Sequence, residues 1–382
     1  MTRARSSAAA SPRLLDLRLP PLTLLGGARV DPHHARLQWW GPEADLPVLE
    51  RLGAEVPPES DGPVLRRSPV RARDGASLDA SIPTVLVIHA LTGDARAAGP
   101  DGWWAPLIGP GRPLDPARVR VLCANNLGSC YGSSGPLDEG WPLNGTRLTP
   151  WDQARALWAV LDLLGVPRLR LATGASLGGM IALCLPVLRP GAVDRLLPIG
   201  TSIASSAWVT GWNHVARQVL RLDPGWPSDV GRGLELARQL AMLTYRAEPS
   251  LDARQHRRAG HPPEAPWALP IQSYLEHQGR KLRRRFDARA YLLQLEAMDA
   301  HDLDCPPPGV PARPLGGSAI CVDVDTDQLF TPVQVDLLAD WLTAHGTEAR
   351  RATVRSPHGH DAFLIEWEAL DPLLRLALGS LP

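Results

Sequence analysis

"ATGASLGGMIAL", residues 172–183, places a single serine among small residues at the point where an apolar stretch changes its period. Residues 169–173 form a short apolar run that predicts a buried strand, and residues 180–184 have the composition of a packed helix. A strand that turns directly into a helix leaves little room for side chains, and the glycines and alanine around the serine provide that room. The stretch predicts a nucleophile elbow with the Ser176 hydroxyl at its apex, although a turn that serves only packing has the same pattern.

Strands and helices alternate around this elbow. An amphipathic helix over residues 151–164 leads into the strand before the serine. Three further segments have the apolar character of buried strands: 84–89, 119–124 and 193–200. The alternation predicts an α/β protein with a mostly parallel, doubly wound sheet, in which ligands bind at the carboxyl ends of the strands.

The strand signal disappears between residues 204 and 303. Four segments there have helical periodicity: 212–222, 233–245, 269–279 and 287–298. Apolar strands return at 318–325 and 349–355. This order predicts a helical cap of residues 204–303, inserted into a sheet domain that continues on both sides of it.

The predicted domains follow from these limits. Residues 81–203 and 304–382 form the sheet core, and residues 204–303 form the cap or lid. Residues 1–80 are predicted as an irregular N-terminal region with the first strands of the sheet. In this region Pro, Gly and Arg interrupt every short apolar segment, and residues 43–81 are expected to be an irregular surface excursion or a partly flexible linker.

Composition limits the classes of function. The 382 residues have a formal net charge of zero, so no overall charge favours nucleic acid or an anionic membrane surface. Lys281 is the only lysine, and no phosphate-binding loop with a Gly-Lys pair exists. The five cysteines are scattered without a Cys-x-x-Cys pair, which favours a reduced protein over a disulfide framework or a zinc site. We expect small-molecule partners, no metal and no redox cofactor.

The N-terminus contains basic and small residues that weakly resemble a targeting peptide, but charged residues and prolines interrupt any apolar core. No window approaches the length and apolarity of a transmembrane span. The sequence therefore predicts a ragged terminus, no membrane partner and a cytoplasmic location.

A nucleophilic serine needs a base and an acid that orients the base. In an elbow fold these follow in the order serine, acid, histidine, each at the end of a strand. Asp327 lies in the turn after the strand at 318–324, and His360 follows the strand at 349–355. The order predicts a catalytic triad of Ser176, Asp327 and His360.

Neighbouring residues compete for two of these roles. Asp323 and Asp325 precede Asp327, but they still lie in the strand or at its end. His358 competes with His360. Position in the turn after the strand favours Asp327 over the other two carboxylates.

Backbone donors for an oxyanion are expected beside the elbow. The loop at residues 90–93 follows the first strong strand, so we assign the Leu91 N–H and, on the residue after the serine, the Leu177 N–H. His89 ends that strand too early in the chain for a catalytic base, and we interpret it as structural.

Arg238 lies on a mainly apolar stripe of the predicted helix 233–245. Such an arginine often only extends its charged end into solvent. A guanidinium that faces the serine would instead bind a substrate carboxylate through two hydrogen bonds.

With these segments identified, the chain resembles the homoserine O-acetyltransferase family of the α/β-hydrolase superfamily. Eight blocks in the family's order carry the resemblance: "HALTGDARAAG" (89–99), "GWWAPLIGPGRPLD" (102–115), "CANNLGSCYGSSGP" (123–136), "GASLGGM" (174–180), "GLELARQLAMLTYR" (233–246), "SYLEHQGRKLRRRFDARAYL" (273–292), "DQLFTP" (327–332) and "GHDAFL" (359–364).

The resemblance implies a two-step acyl transfer. Ser176 would take acetyl from acetyl-CoA, a co-substrate rather than a cofactor, and L-homoserine would accept it in the first committed step of methionine biosynthesis. His360 would act as base and then acid, oriented by Asp327. Arg238 would bind the homoserine carboxylate and Asp361 its ammonium. Members of the family are typically homodimers joined through the cap helices.

Alternatives on the same scaffold are homoserine O-succinyltransferase, serine O-acyltransferase and a simple esterase. A fourth, of another class, is a non-catalytic binding protein with a relict triad. A carboxylate and ammonium clamp argues against an esterase, which has no use for it. The basic run at residues 279–289 could contact CoA phosphates, but a solvated helix face or dimer edge is the favoured interpretation.

Overall fold

The computed structural model describes residues 11–55, 77–142, 147–255, 269–310 and 313–381. The strands are β1 (Arg13–Leu19), β2 (Leu22–Thr23), β3 (Arg29–Val30), β4 (His33–Trp40), β5 (Gly53–Glu55), β6 (Thr84–Ile88), β7 (Arg120–Ala124), β8 (Leu171–Ala175), β9 (Arg195–Ile199), β10 (Ser318–Val324) and β11 (Glu348–Val354). The helices are α1 (Leu46–Leu52), α2 (Pro150–Leu164), α3 (Leu177–Leu188), α4 (Ala207–Arg221), α5 (Gly231–Tyr245), α6 (Glu248–Gln255), α7 (Pro270–Arg283), α8 (Ala288–Asp299), α9 (Pro332–Ala344) and α10 (Trp367–Leu378). Two 3-10 turns are Glu43–Asp45 and Gly359–Leu364.

Nine strands form one sheet in the order β11-β10-β9-β8-β6-β7-β4-β1-β5. The six strands from β6 to β11 pair in parallel, whereas β4, β1 and β5 add an antiparallel edge. The predicted mostly parallel α/β sheet is confirmed. Its carboxyl edge therefore collects the loops that follow β6, β8, β10 and β11.

Helices cover both faces of the sheet, which explains why the central strands are apolar throughout. Along β6, Leu86 and Ile88 pack in the cluster that contains α2 and α3, whereas Val85 and Val87 pack in the cluster that contains α10. Successive side chains of a strand point to opposite faces, so both faces of β6 are buried.

Residues 43–55 differ from the predicted irregular excursion. They form a 3-10 turn, α1 and β5, because Leu49 and Leu52 are buried in the core. The Asp45 carboxylate also accepts hydrogen bonds at 2.6 and 2.8 Å from Arg120, which is fully buried. The remainder of the predicted excursion, up to residue 76, lies outside the described residues.

Five helices, α4 to α8, lie between β9 and β10 in the described part of residues 204–303. The two ends of this segment meet, because the Ser205 N–H donates to His301 O at 3.0 Å and the Leu303 N–H to Ile203 O at 3.0 Å. The segment therefore leaves the sheet and returns to it at one place. None of the described helices is long and apolar enough to cross a membrane.

Candidate active site

Ser176 lies at the junction of β8 and α3, and β8 continues two residues beyond the predicted end of the strand at residue 173. Its backbone has φ 55° and ψ −126°, and it is the only non-glycine residue with positive φ among those described. The Ser176 N–H donates to Ile199 O at 2.9 Å, and its carbonyl accepts from Met180 N at 3.0 Å. Tertiary contacts thus hold a strained conformation, as the predicted elbow requires.

Glycines allow the elbow to approach the sheet. A Cβ on Gly178 would lie 2.3 Å from Ile88 O, and one on Gly174 would lie 2.6 Å from the Gly178 carbonyl carbon. Both contacts involve backbone atoms, which cannot move aside as a side chain can. The spacing of the small residues around Ser176 therefore follows from backbone contact between α3, β6 and β8.

The acid and the histidine meet at the carboxyl edge of the sheet. Asp327 Oδ2 lies 2.6 Å from His360 Nδ1, and both residues are 4% exposed. Asp327 Oδ1 accepts from the Leu329 and Phe330 N–H groups at 2.8 and 3.1 Å, which fixes the carboxylate. Gly200 packs against the pair: a Cβ there would lie 3.3 Å from Asp327 Oδ2.

His360 Nε2 is buried and has no hydrogen-bond partner among the described residues. Ser176 and His360 line the same cavity of about 920 Å³, and Ser176 Oγ is not yet bonded to this nitrogen. Such bonds are often long in ligand-free enzymes and shorten with substrate. Burial by itself lowers the pKa of His360, but the Asp327 carboxylate raises it, with a net increase above 6.5.

The competing residues have other partners. Asp323 Oδ2 accepts from Arg351 Nε at 2.5 Å, and Asp325 Oδ1 accepts from the Ser356 N–H at 2.9 Å. His358 Nδ1 lies 2.8 Å from Ser250 Oγ. Of the three competing carboxylates, the structure brings only Asp327 into contact with His360.

Of the two predicted oxyanion donors, Leu91 lines this cavity and Leu177 directly follows Ser176. Leu91 lies in a turn closed by the Gly93 N–H to Ala90 O bond at 2.9 Å and lines the cavity with Ser176. Leu177 is the first residue of α3, where backbone N–H groups have no partner within the helix.

His89 has the contacts of a structural residue. Its Nδ1 lies 2.8 Å from Ala90 O, and its Nε2 lies 2.9 Å from the Asn126 N–H. A carbonyl only accepts, so Nδ1 carries the proton and Nε2 accepts. Burial lowers the pKa of His89, which fits this neutral form.

Arg238 projects from α5 into the cavity. Its guanidinium carbon lies 5.5 Å from the centroid of the Tyr245 ring, which is itself 5.8 Å from the His360 ring. None of the described carboxylates lies within ion-pair distance of Arg238. The charge is therefore available to an anionic ligand beside the triad.

Comparison with known proteins shows which family contains this chain. Residues 83–366 match the family model of the alpha/beta hydrolase fold. The homoserine O-acetyltransferase of Moorella thermoacetica is 37% identical over 332 residues, which cover 78% of this chain and 86% of that protein. The one from Thermus thermophilus is 38% identical over 319 residues, with coverage of 76% and 80%. The chain belongs to the homoserine O-acetyltransferase family.

Solved structures extend the comparison. The homoserine O-acetyltransferase of Staphylococcus aureus superposes with a TM-score of 0.74 at 26% identity and covers 97% of this chain and 96% of its own. Esterase E22 superposes with a TM-score of 0.75 at 18% identity, covering 96% and 100%. At that identity the likeness shows the fold alone, so members of the homoserine O-acetyltransferase family share their scaffold with an esterase.

In this member of the homoserine O-acetyltransferase family, Asp361 already has a partner. Its Oδ2 lies 3.1 Å from Arg246 Nε, and the two side chains are 12% and 17% exposed. The contact is an ion pair without hydrogen-bond geometry, because Arg246 Nε has no hydrogen-bond acceptor among the described residues. Asp361 Oδ1 has no partner among the described residues, which leaves one carboxylate oxygen for a ligand.

Arg246 was not singled out by the sequence analysis, although it ends the block at 233–246. It is the residue after the last turn of α5, and a Cβ on Gly359 would lie 3.1 Å from its carbonyl carbon. This close approach brings the end of α5 to the loop that carries His360. The contact between Arg246 and Asp361 depends on how α5 docks on that loop, so it could not be predicted from the sequence.

The basic run at residues 279–289 divides between two environments. Arg283 and Arg284 are exposed, as expected for a solvated helix face. Lys281, which is also exposed, and the half-buried Arg285 line the cavity with Ser176. The interpretation of the run as a solvated helix face therefore applies to only part of it in this member of the homoserine O-acetyltransferase family.

Proposed function

We propose that the chain is a homoserine O-acetyltransferase that uses Ser176, His360 and Asp327 as its triad. The observation that carries the proposal is that Ser176, His360, Arg238 and Asp361 line one cavity, with Asp327 bonded to His360. Arg238 has no carboxylate partner among the described residues. Membership of the family supplies the substrate class. No step requires a metal or a bound cofactor.

In the first half-reaction, Ser176 Oγ attacks the thioester carbonyl of acetyl-CoA while His360 Nε2 takes its proton. The carbonyl oxygen becomes an oxyanion that accepts hydrogen bonds from the Leu91 and Leu177 N–H groups. The C–S bond then breaks, and His360 returns the proton to the thiolate of CoA. The product is an acetyl ester on Ser176.

In the second half-reaction, His360 takes the proton of the homoserine hydroxyl, whose oxygen attacks the Ser176 ester. The same two N–H groups bind the second oxyanion. The bond to Ser176 Oγ breaks, His360 returns the proton to this oxygen, and O-acetyl-L-homoserine leaves. Water could replace homoserine in this step, which would make the reaction that of an esterase.

Recognition of the acceptor rests on fixed charges. Arg238 binds the carboxylate and Asp361 Oδ1 binds the ammonium, while Arg246 stays on Oδ2. A zwitterion that meets both charges places its side-chain hydroxyl at the Ser176 ester, whereas water gains nothing from them. These charges support transfer over hydrolysis.

The deciding experiment is intact mass spectrometry of the protein after mixing with acetyl-CoA or succinyl-CoA, followed by a chase. We expect one acetyl group on the peptide that contains Ser176, and rapid discharge by L-homoserine but not by L-serine or buffer. A succinyl adduct would assign the sister succinyltransferase activity, discharge by L-serine a serine O-acyltransferase, and rapid discharge in buffer an esterase.

Replacing Arg238 with glutamine should separate the half-reactions. Loss of one partner from a buried charge pair with the substrate costs about 2–5 kcal/mol, so kcat/KM for L-homoserine should fall by about 30-fold or more. Acetylation by acetyl-CoA should change by less than about threefold, because the donor does not use this charge. Rapid-quench measurement of each half-reaction checks both values.

Arg232→Gln is the matched control, since Arg232 is exposed on the same helix. Equal loss in both half-reactions of Arg238→Gln would show that the arginine stabilises the structure rather than the acceptor.

The proposal includes a homodimer joined through the cap. Large apolar side chains are exposed on α4, at the residue that follows α4, and on α5: Trp208 (54%), Val215 (44%), Leu222 (81%), Leu236 (42%) and Leu243 (43%). Such a set favours a protein interface. Sedimentation should give twice the 41.3 kDa chain mass, and Leu222→Glu should shift the measured mass toward that of the monomer.

All five cysteines are free, which supports a cytoplasmic location.

A further inference from the structure

Arg285 connects the helical segment to the turn that carries Leu91. Its Nη1 donates to Thr92 O at 2.6 Å and to the Tyr131 hydroxyl at 3.0 Å. In the described part of the chain, no other side chain from residues 204–303 hydrogen bonds to the turn at residues 90–93. A guanidinium bond of this length to a carbonyl is a charge-assisted hydrogen bond, of the stronger class.

The turn is held at its base by core residues and at its tip by Arg285. Ala90 O accepts from the Gly93 N–H at 2.9 Å and faces His89 Nδ1 at 2.8 Å. Thr92 O has no hydrogen-bond donor among the described residues except Arg285. The Thr92 carbonyl shares a planar peptide group with the Gly93 N–H, and the Ala90 carbonyl shares one with the Leu91 N–H. Because the Gly93 N–H donates to Ala90 O, a hydrogen bond that holds Thr92 O also helps to set the direction of the Leu91 N–H.

Arg285 itself is anchored. It lies between α7 and α8, followed by Phe286, which is 3% exposed and packs edge-on against the Tyr131 ring with centroids 5.6 Å apart. Asp287 then caps α8 by accepting from the Ala290 N–H at 3.2 Å. Burial raises the pKa of Tyr131 to about 12, so its hydroxyl keeps its proton and accepts from Arg285 as a neutral group.

We propose that Arg285 is a positioning residue that aims the Leu91 N–H at the oxyanion by fixing the Thr92 carbonyl. This inference rests on the proposed reaction at Ser176. It makes the oxyanion site dependent on the helical segment, because the core alone holds only the base of the turn. Arg285 acts through the backbone and does not contact the reacting atoms.

The role has a kinetic signature that distinguishes it from other uses of a cation here. Both half-reactions form an oxyanion, so loss of Arg285 should slow acetylation and deacetylation by the same factor. A group that binds the acceptor would affect only the second step. A group that binds the phosphates of the donor would raise the KM for acetyl-CoA and leave the rates at saturation unchanged.

The test compares Arg285→Gln and Arg285→Lys with Arg284→Gln, whose side chain is exposed one residue away. Rapid-quench mass spectrometry gives the acetylation and deacetylation rates of Ser176 at saturating substrate. We expect Arg285→Gln to slow both steps by about tenfold to a hundredfold, less than complete loss of a donor. Arg285→Lys should recover part of the loss, and Arg284→Gln should match the wild type.

Acetylation by a chromogenic acetate ester is measured in parallel. A competent triad serine reacts with such an ester whatever its natural donor, so the Arg285 effect stays measurable even if acetyl-CoA and homoserine are not the substrates. Failure of the proposed function and failure of the Arg285 role are therefore seen separately.

Thermal unfolding identifies a folding defect. If Arg285→Gln unfolds at the assay temperature, Arg285→Lys carries the test. Rates within about threefold of wild type in a folded variant, loss in one half-reaction only, or a change confined to the KM for acetyl-CoA would each overturn the proposal.

Discussion

Replacing Ser176 with alanine is expected to abolish acyl transfer, with a fall in kcat of about 10⁴- to 10⁶-fold. The chain then has no oxygen at the apex of the elbow to form the acetyl ester, and the residual rate comes from binding and the oxyanion donors alone. Intact mass after mixing with acetyl-CoA should show no acetyl adduct, and steady-state formation of O-acetyl-L-homoserine should be at the limit of detection.

The fold should be unaffected by this change. Ser176 already has positive φ, and alanine bears the same Cβ in the same conformation. The backbone hydrogen bonds of Ser176 with Ile199 and Met180 do not involve the hydroxyl. The unfolding temperature should therefore stay within about 2 °C of wild type.

Ser228→Ala, at an exposed serine in the same chain, is the matched control. An acetyl adduct that persists on the peptide containing residue 176 of the Ser176→Ala protein would place the nucleophile elsewhere.

The central strands could be predicted from the sequence because they are buried on both faces. The predicted strand at 84–89 matches β6 to within one residue, and 119–124 matches β7 equally well. The N-terminal strands could not be placed, because their polar residues find partners only in three dimensions. Arg36 on β4, for example, donates to Asp16 on β1 at 2.8 and 2.9 Å.

The triad could also be predicted, since parallel strands bring their carboxyl ends to one edge. Val324 of β10 pairs with Val354 of β11, so the residues that follow both strands emerge side by side. Asp327 and His360 then need only a few residues of loop to meet. Neither periodicity nor spacing shows how α5 and α7 dock on that edge, so the contacts of Arg246 and Arg285 required the structure.

Replacing Asp327 with asparagine should reduce kcat/KM by about 10⁴-fold. The hydrogen bonds that the side chain accepts from the Leu329 and Phe330 N–H groups should stay in place. The asparagine oxygen can take the position of Oδ1, which leaves the amide NH₂ facing His360 Nδ1. Because this NH₂ only donates, the imidazole must carry its proton on Nε2. That nitrogen can then no longer take the Ser176 proton, and activity falls although every heavy atom is in place.

The pH dependence gives a second test of the same change. The base must be neutral, so wild-type kcat/KM should fall as the pH drops through a value above 6.5, the direction in which Asp327 shifts the pKa of His360. Without the Asp327 carboxylate, burial lowers the pKa of His360 against the Asp361 charge alone, so this midpoint should move to lower pH in Asp327→Asn. Measurement of kcat/KM between about pH 5 and pH 9 checks the direction in which this midpoint moves.

Stability should change with the opposite trend in pH. A pKa raised in the folded state contributes stability that is fully present below the unfolded value near 6.5 and is lost as the pH rises through the folded value. Wild type should lose this contribution on the alkaline side, and Asp327→Asn should not have it. Asp325→Asn is the matched control, because among the described residues the Asp325 side chain accepts only from the Ser356 N–H, and an amide oxygen can replace it. If Asp327→Asn kept wild-type activity and pH midpoint while Asp325→Asn lost them, the acid of the triad would be Asp325, against the 2.6 Å contact between Asp327 and His360.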